Sequence, residues 1–587
     1  MMRTGWRLPF GANLIGHDRT QFRIWAPAQP TMSVAVEGAA PLPMSRSDDG
    51  WFEAEANCGA GARYRYILPD GATVPDPAAR AQHGDVRGAS IVVDPLSYRW
   101  RHPDWRGRPW HEAVLYEAHA GLLGGFAGVA RELPRLAALG VTAVELMPVA
   151  EFPGGRNWGY DGALLFAPES SYGSPDDLRA LIDAAHGHGL MMFLDVVYNH
   201  FGPEGNYLAR YAPAMFRDDV ATPWGPALNF RRREVRRFFT ENALYWLLEY
   251  RFDGLRFDAV HAIADAGWLD EMAAEVRKSV EPGRHVHLVL ENDDNAAAHL
   301  ARGFDAQWND DGHHVLHVLL TGESEGYYED YADRPAERLA RCLKEGFIYQ
   351  GEPSAYRGGK SRGTASADLP PTAFVLFLQN HDQIGNRAFG ERLTQLAHPQ
   401  AHEAAIALLL LCPQIPLLFM GEEGASTSPF LFFTEHAAEL AQAVRDGRRR
   451  EFAKFSQFSD PKHLDKIPDP NATVTFERSK PVADSARAGA RERLYRDLLA
   501  LRRAEIVPRL AGARAVDARA ISSAAVTASW RMGDNSLLTI AVNLGAEAAE
   551  IPRHRGRLLF ASSDAAALAA QQGRIGPYST VAMLEPP

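Results

Sequence analysis

Four short apolar runs in this chain of 587 residues each end in carboxylates. Met191-Met192-Phe193-Leu194 runs into Asp195-Val196-Val197-Tyr198-Asn199-His200, and Phe252-Asp253-Gly254-Leu255 into Arg256-Phe257-Asp258-Ala259-Val260-His261. Leu288-Val289-Leu290 gives way to Glu291-Asn292-Asp293, and Phe377-Leu378-Gln379 to Asn380-His381-Asp382-Gln383. One carboxylate at a strand end ordinarily meets water or caps the next helix. Four sets converging on one rim are hard to explain as caps, because crowded acids repel and burial raises the pKa of at least one. Such a set suits a reaction that needs one protonated and one ionised carboxyl group, of which glycoside hydrolysis is the leading example. Arg256, two residues before Asp258, would keep that acid ionised and oriented through the guanidinium fork. The histidines and Asn199 can donate to sugar hydroxyls. Trp158, Tyr160, Tyr198 and Trp308 offer flat faces for pyranose rings, or equally for core packing.

The elements that must position these groups are eight apolar strand candidates: 113–118, 143–149, 190–197, 254–259, 287–291, 306–308, 374–378 and 415–420. Amphipathic or Ala/Leu-rich stretches such as 129–139, 175–188 and 235–250 lie between most of them. This alternation over some 320 residues predicts an α/β fold, a (β/α)8 TIM barrel over 110–485, whose active site lies at the C-terminal ends of its strands. A doubly wound sheet is the alternative, but the Gly-rich phosphate loop expected after its first strand is missing. Residues 1–95 alternate polar and apolar at 21–27 and 62–68 and predict an N-terminal β-sandwich, immunoglobulin-like or carbohydrate-module-like. Residues 94–109 read as a packed linker and 485–505 as a helix. Short strands at 526–532, 536–543, 557–561 and 580–584 predict a small C-terminal β-sandwich over 510–587.

Composition excludes several classes. The chain is 46% hydrophobic and 23% charged, the balance of a globular protein with large cores. Its formal charge of −11 gives no electrostatic basis for binding nucleic acid or anionic membrane. Three scattered cysteines, Cys58, Cys342 and Cys412, read as reduced thiols of a cytoplasmic protein. No apolar stretch follows the opening residues as a secretory signal would require, and the most apolar segment, 404–412, is too short to span a bilayer. Gly358-Gly359-Lys360-Ser361 has Ser354 where a phosphate loop needs its first glycine. His285-Val286-His287 and His313-His314 lack the companion ligands of a metal site.

The four acid-bearing segments, in this order, resemble the four sequence signatures of the α-amylase family of glycoside hydrolases and transglycosylases. The resemblance covers the whole expected barrel, and the flanking sandwiches match the family's three-domain plan. It implies retaining chemistry by double displacement, with Asp258 as nucleophile, Glu291 as general acid/base and Asp382 as the acid that steadies the distorted sugar. It implies substrate contacts from Arg256, His200, His261 and His381, with Asn199 and Asp195 on the first signature. Tyr160, in Asn157-Trp158-Gly159-Tyr160-Asp161-Gly162, matches the tyrosine under the sugar being cleaved. No metal or organic cofactor is implied.

Within the family, the N-terminal sandwich and the Asn157–Asp161 motif resemble branching enzymes, debranching enzymes and the members that release trehalose from maltooligosyltrehalose. The run from Asp305 to His314 resembles the trehalose-releasing members after their sixth strand. So does Phe419-Met420-Gly421-Glu422-Glu423, continuing through 428–436. The implied ligands are maltooligosyltrehalose and related α-1,4-glucans, with functional coupling to the enzyme that makes that substrate. Trehalose is bent and lacks a reducing end, so fixed hydrogen-bonding groups can select it against maltose. Asp310, Asp311, His313, His314 and Gln383 are expected to form that leaving-group pocket, although Asp310 and Asp311 also suit the start of a helix. Gly312 stands where the family commonly has Phe, which is expected to loosen the leaving-group side. A glucan branching enzyme stays open as an alternative, because the acids alone do not choose between water and a sugar hydroxyl. A non-catalytic glycan-binding protein would be expected to have lost one of the three acids.

Overall fold

The computed structural model describes residues 6–455, 461–553 and 556–587. The opening residues 1–5, on which the absence of a secretory signal is partly read, lie outside these. Eight parallel strands close into a barrel: β1 (Leu115–Ala118), β2 (Ala143–Leu146), β3 (Met191–Val196), β4 (Gly254–Phe257), β5 (His287–Leu290), β6 (Ala306–Trp308), β7 (Phe374–Phe377) and β8 (Ile415–Phe419). All eight lie within the apolar runs expected from the sequence. Several end one to three residues earlier, so that Asp258 and Glu291 stand one residue past their strands, each still donating its backbone N–H to the preceding strand.

Side chains alternate along each strand, so one face of each strand fills the barrel. Leu115, Phe193, Val289, Trp308, Phe377 and Leu417 form that filling. Two residues further along the same inward faces come Glu117 on β1, Glu145 on β2 and Asp195 on β3. The register sets Glu117 beside Glu145 and Asp195 beside Arg256. Gly254 is required on β4, because a Cβ there would meet the Phe193 ring at 2.1 Å.

At the N-terminal end, a four-stranded and a six-stranded antiparallel sheet enclose Phe22, Ile24, Val34, Phe52, Tyr64 and Tyr66. Buried Arg80 ties this sandwich to the barrel domain through Glu249, at 3.3 Å, and Arg179 approaches the same carboxylate at 3.3 Å. At the C-terminal end, strands 514–520, 525–531, 537–543, 579–585 and 557–561 form one five-stranded antiparallel sheet. One face packs on helices Pro335–Glu345 and Pro399–Leu411, where Trp530 Nε1 donates to the Leu343 carbonyl. The other face, including Val581, is covered by helix Asp564–Gln571 and a two-stranded sheet of Ala549–Glu550 and Arg574–Ile575. The strand Arg514–Ala520 and helix Asp564–Gln571 were not anticipated. No helix among the described residues is long and apolar enough to cross a membrane.

Candidate active site

The centre of the barrel mouth is organised by one guanidinium. Arg256 is fully buried, and its Nη1 donates to both oxygens of Asp195 at 3.0 and 2.8 Å and to Asp258 Oδ1 at 2.7 Å. Its plane lies 4.3 Å from the centroid of the Trp308 ring, which fixes the fork from below. Asn199 Nδ2 donates to the other Asp258 oxygen at 2.9 Å and to the Asp258 carbonyl at 2.9 Å. Asp258 is thus held in one orientation by a cation on one oxygen and an amide on the other.

Glu291 is in a different environment. Its Oε2 accepts from the Ala259 backbone N–H at 2.5 Å and lies 3.6 Å from Arg256 Nη2. Burial raises its pKa; Arg256 opposes this, and Asp258 and Asp382 push further up. Ala259, a non-glycine residue at φ 41° and ψ 47°, holds the chain in a left-handed turn between these two acids. Two carboxyl groups in different settings, one bonded to a guanidinium and one whose proton burial helps to retain, therefore face each other across a single turn.

Asp382 is half-exposed. His381 Nε2 lies 3.4 Å from its Oδ1, and Asn386 Nδ2 donates to the same atom at 3.3 Å. His381 is held from behind by Glu117, at 2.5 Å from Nδ1. Burial disfavours its charge, but Asp382 and Glu117 together push it up to about 9. Tyr160 stacks on the His381 ring at 5.1 Å between centroids, and its hydroxyl donates to Asp195 at 2.6 Å. Burial pushes Asp195 up to about 7 in spite of Arg256. His200 bonds the Tyr160 carbonyl at 3.0 Å, and burial lowers its pKa. His261 is exposed at the rim and accepts from the Asp293 N–H at 3.2 Å.

The expected leaving-group residues divide. Asp310 is half-buried at the mouth; burial, Glu291, Asp293 and Asp382 all push its pKa well up. Asp311 points the other way: fully buried, it accepts from Asn295, Tyr331, Arg362 and the Ile348 and Tyr349 backbone N–H groups. With both oxygens occupied, it cannot reach a substrate. His313 is likewise spent on the Leu378 carbonyl and the Tyr328 hydroxyl. His314 lies behind Tyr327, ring to ring at 4.7 Å, and Gln383 is buried beside Asn380. Gly312 faces inward too, since a Cβ there would meet Leu376 at 2.4 Å, so its smallness seats the helix on β7 and does not open the mouth.

A cavity of about 470 Å³ opens next to Asn386, the residue that donates to Asp382, and is lined by Tyr327, Asn386, Phe452, Phe455 and the Arg387–Glu323 ion pair at 2.7 Å. Sequence reasoning also missed Trp224, at the tip of a hairpin of strands 216–222 and 225–228 and stacked on His200 at 4.8 Å and 6°. It is 47% exposed, a large aromatic face left open at the mouth. No cluster of three or more metal-binding side chains occurs among the described residues.

Comparison with known proteins agrees with this geometry. Residues 99–219 match the model described as "Alpha amylase, catalytic domain", and residues 513–582 match a domain of unknown function. A malto-oligosyltrehalose trehalohydrolase of Deinococcus radiodurans is 45% identical over 84% of this chain and 82% of its own. One of Saccharolobus solfataricus is 40% identical over 81% and 83%. A solved Salmonella typhimurium structure, described as an alpha amylase, superposes with a TM-score of 0.92 at 44% identity, covering 99% of this chain and 100% of that one. A 1,4-alpha-glucan branching enzyme of Rubrobacter xylanophilus is 35% identical over only 42% and 39%.

Proposed function

We infer the reaction from a premise of kinship: the chain belongs to the malto-oligosyltrehalose trehalohydrolases of the α-amylase family, and it is a glycoside hydrolase that cleaves the α-1,4 bond next to the terminal trehalose unit of malto-oligosyltrehalose. The observation that carries the mechanism is the pairing of an Arg256-bound Asp258 with a buried Glu291, whose pKa burial raises, across one turn. In the first step the Asp258 carboxylate bonds to the anomeric carbon as the glycosidic C–O bond breaks, and Glu291 gives its proton to the departing trehalose oxygen. In the second, ionised Glu291 takes a proton from water, whose oxygen displaces Asp258 and frees the maltooligosaccharide with retained configuration. Asp382, steadied by His381 and Asn386, is suited to hold hydroxyls of the distorted sugar, and Tyr160 to stack beneath it.

The trehalose unit is assigned to the 470 Å³ cavity next to Asn386. Its supports are size, which falls in the range of small-ligand sites, and a wall of fixed polar groups, Asn386 and the Arg387–Glu323 pair, between aromatic faces. Asp310 borders the acids on this side and takes the one role left to the Asp310–His314 run. Residues 1–95, 110–485 and 510–587 are taken as three units, with catalysis in the second. Three free cysteines suit a cytoplasmic setting, where an enzyme that makes the substrate would be functionally coupled to this one.

Product analysis tests the reading. Purified protein given malto-oligosyltrehalose releases free trehalose, and given amylose it forms no branch points. Branch points in amylose without released trehalose would overturn the choice of water as acceptor while leaving the double displacement in place.

A further inference from the structure

Beneath the described site lies a carboxyl group that the mechanism does not use. Glu145 sits on β2, 1% exposed, on the inward face of the barrel. Neither of its oxygens meets a hydrogen-bond donor among the described residues. What faces it from the neighbouring strands is largely acid: Glu117 on β1, directly opposite in the register, and Asp195 on β3. The cations within electrostatic reach are Arg256 on β4 and His381 after β7. Arg256 Nη1 is engaged by Asp195 and Asp258; its Nε and Nη2 have no hydrogen-bond partner among the described residues and so do not bond Glu145, and His381 bonds Glu117 and Tyr160.

An ionised carboxylate so enclosed, with no donor on it, is the least tolerable polar group a core can hold. The arrangement resolves if Glu145 itself supplies the missing donor. Glu117 has the capacity to accept. Each of its oxygens takes one bond from His381, Oε1 from the ring at 2.5 Å and Oε2 from the backbone N–H at 3.2 Å, and a carboxylate oxygen has room for a second.

We propose that Glu145 is a neutral carboxylic acid whose O–H donates to the Glu117 carboxylate, and that it is thereby a positioning residue for His381. Two carboxyl groups on adjacent strands then carry one negative charge between them. Glu117 is fixed from both sides, and the imidazole it orients is presented to Asp382 in one pose. Burial acts in the same direction on Glu145, with Glu117 and Asp195 reinforcing it against Arg256 and His381.

The test uses the full-length protein and two variants, E145Q and E145L. Glutamine keeps a donor toward Glu117, whereas leucine keeps the bulk and removes the donor. Infrared difference spectra at pH 8 between wild type and E145Q read the protonation directly and do not depend on any substrate. Loss of a carboxylic-acid C=O band is expected, and loss of carboxylate bands instead overturns the proposal. The kinetic arm rests on the trehalose-releasing reading. There E145Q keeps kcat within about twofold, while E145L, still folded by its melting curve, loses roughly ten- to a hundredfold in kcat with KM unchanged, as a misplaced catalytic group does. Equal kcat for E145L and E145Q, or a loss confined to KM, overturns the positioning role.

Discussion

Replacing Arg256 by lysine separates charge from geometry at the centre of the site. Arg256 Nη1 makes three contacts, at 3.0 and 2.8 Å to Asp195 and 2.7 Å to Asp258, while the guanidinium plane rests on Trp308. An ammonium keeps the charge but has neither the planar fork nor the stacking face. The R256K variant therefore loses at least one charge-assisted hydrogen bond to a carboxylate, about 1.5–3 kcal/mol. If that bond orients the nucleophile in the transition state, kcat/KM falls roughly ten- to a hundred-and-fifty-fold. The pH profile gives a second, independent sign. With the positive charge less well placed, the acids that Arg256 holds down, Asp195 and Glu291, keep their protons more tightly, and the acid limb of kcat/KM moves up. Initial rates of trehalose release between pH 4 and 9, with melting curves as a control for folding, measure both. A profile superimposable on wild type, with less than about a threefold loss, would refute the view that the Arg256 fork orients Asp258 and holds the neighbouring acids down.

Glu291→Gln removes the transferable proton, so hydrolysis should fall by about 10²–10⁴-fold, with the alkaline limb of the profile abolished. His381 supplies a stability signature. Its folded value of about 9 stands above the ordinary 6.5, so its contribution is full below pH 6.5 and is lost as pH rises through 9, roughly 3 kcal/mol in all. Melting temperatures of wild type should therefore fall over that window, and those of His381→Gln should lack that component. Trp224→Ala removes an open stacking face and should lower kcat/KM about two- to tenfold, from a stacking energy of about 0.5–1.5 kcal/mol, with no change in melting temperature. Asp311→Asn should leave KM unchanged but lower the melting temperature, because an amide cannot accept from five donors and breaking one side of a buried ion pair costs about 3–5 kcal/mol.

The barrel was legible because strands buried on both faces are continuous apolar runs, and eight such runs alternate with helical patterns. The acids were legible for the complementary reason, since a charge at the end of such a run must leave the core or be paired. Where neither contrast holds, the sequence was silent. Strand Arg514–Ala520 carries arginines and an aspartate among alanines, with little apolar contrast to mark it. Trp224 stands alone in a polar hairpin, and only its place over His200 gives it meaning. Glu117 and Glu145 had a signal that went unread: each is a single acid inside a central strand, where a charge needs a reason.

The pair Asp310–Asp311 shows where spacing stops informing. Both open the helix Asp310–Thr321, and both suit its positive end. Successive residues on a helix point about 100° apart, so two adjacent acids cannot share a destination. One is half-buried at the mouth among Glu291, Asp293 and Asp382, and the other is locked inside by Arg362, Tyr331 and the backbone at 348–349. Choosing between them requires the rotation of the helix about its axis. On the helix face toward β7, the missing side chain of Gly312 lets the helix lie close against Leu376. The residue that departs from the family's common phenylalanine thus packs inward, two positions along the same helix from Asp310. A bulky residue at 312 would press on the Leu376 and Cys342 side chains, and either these or the helix that carries Asp310 would have to give.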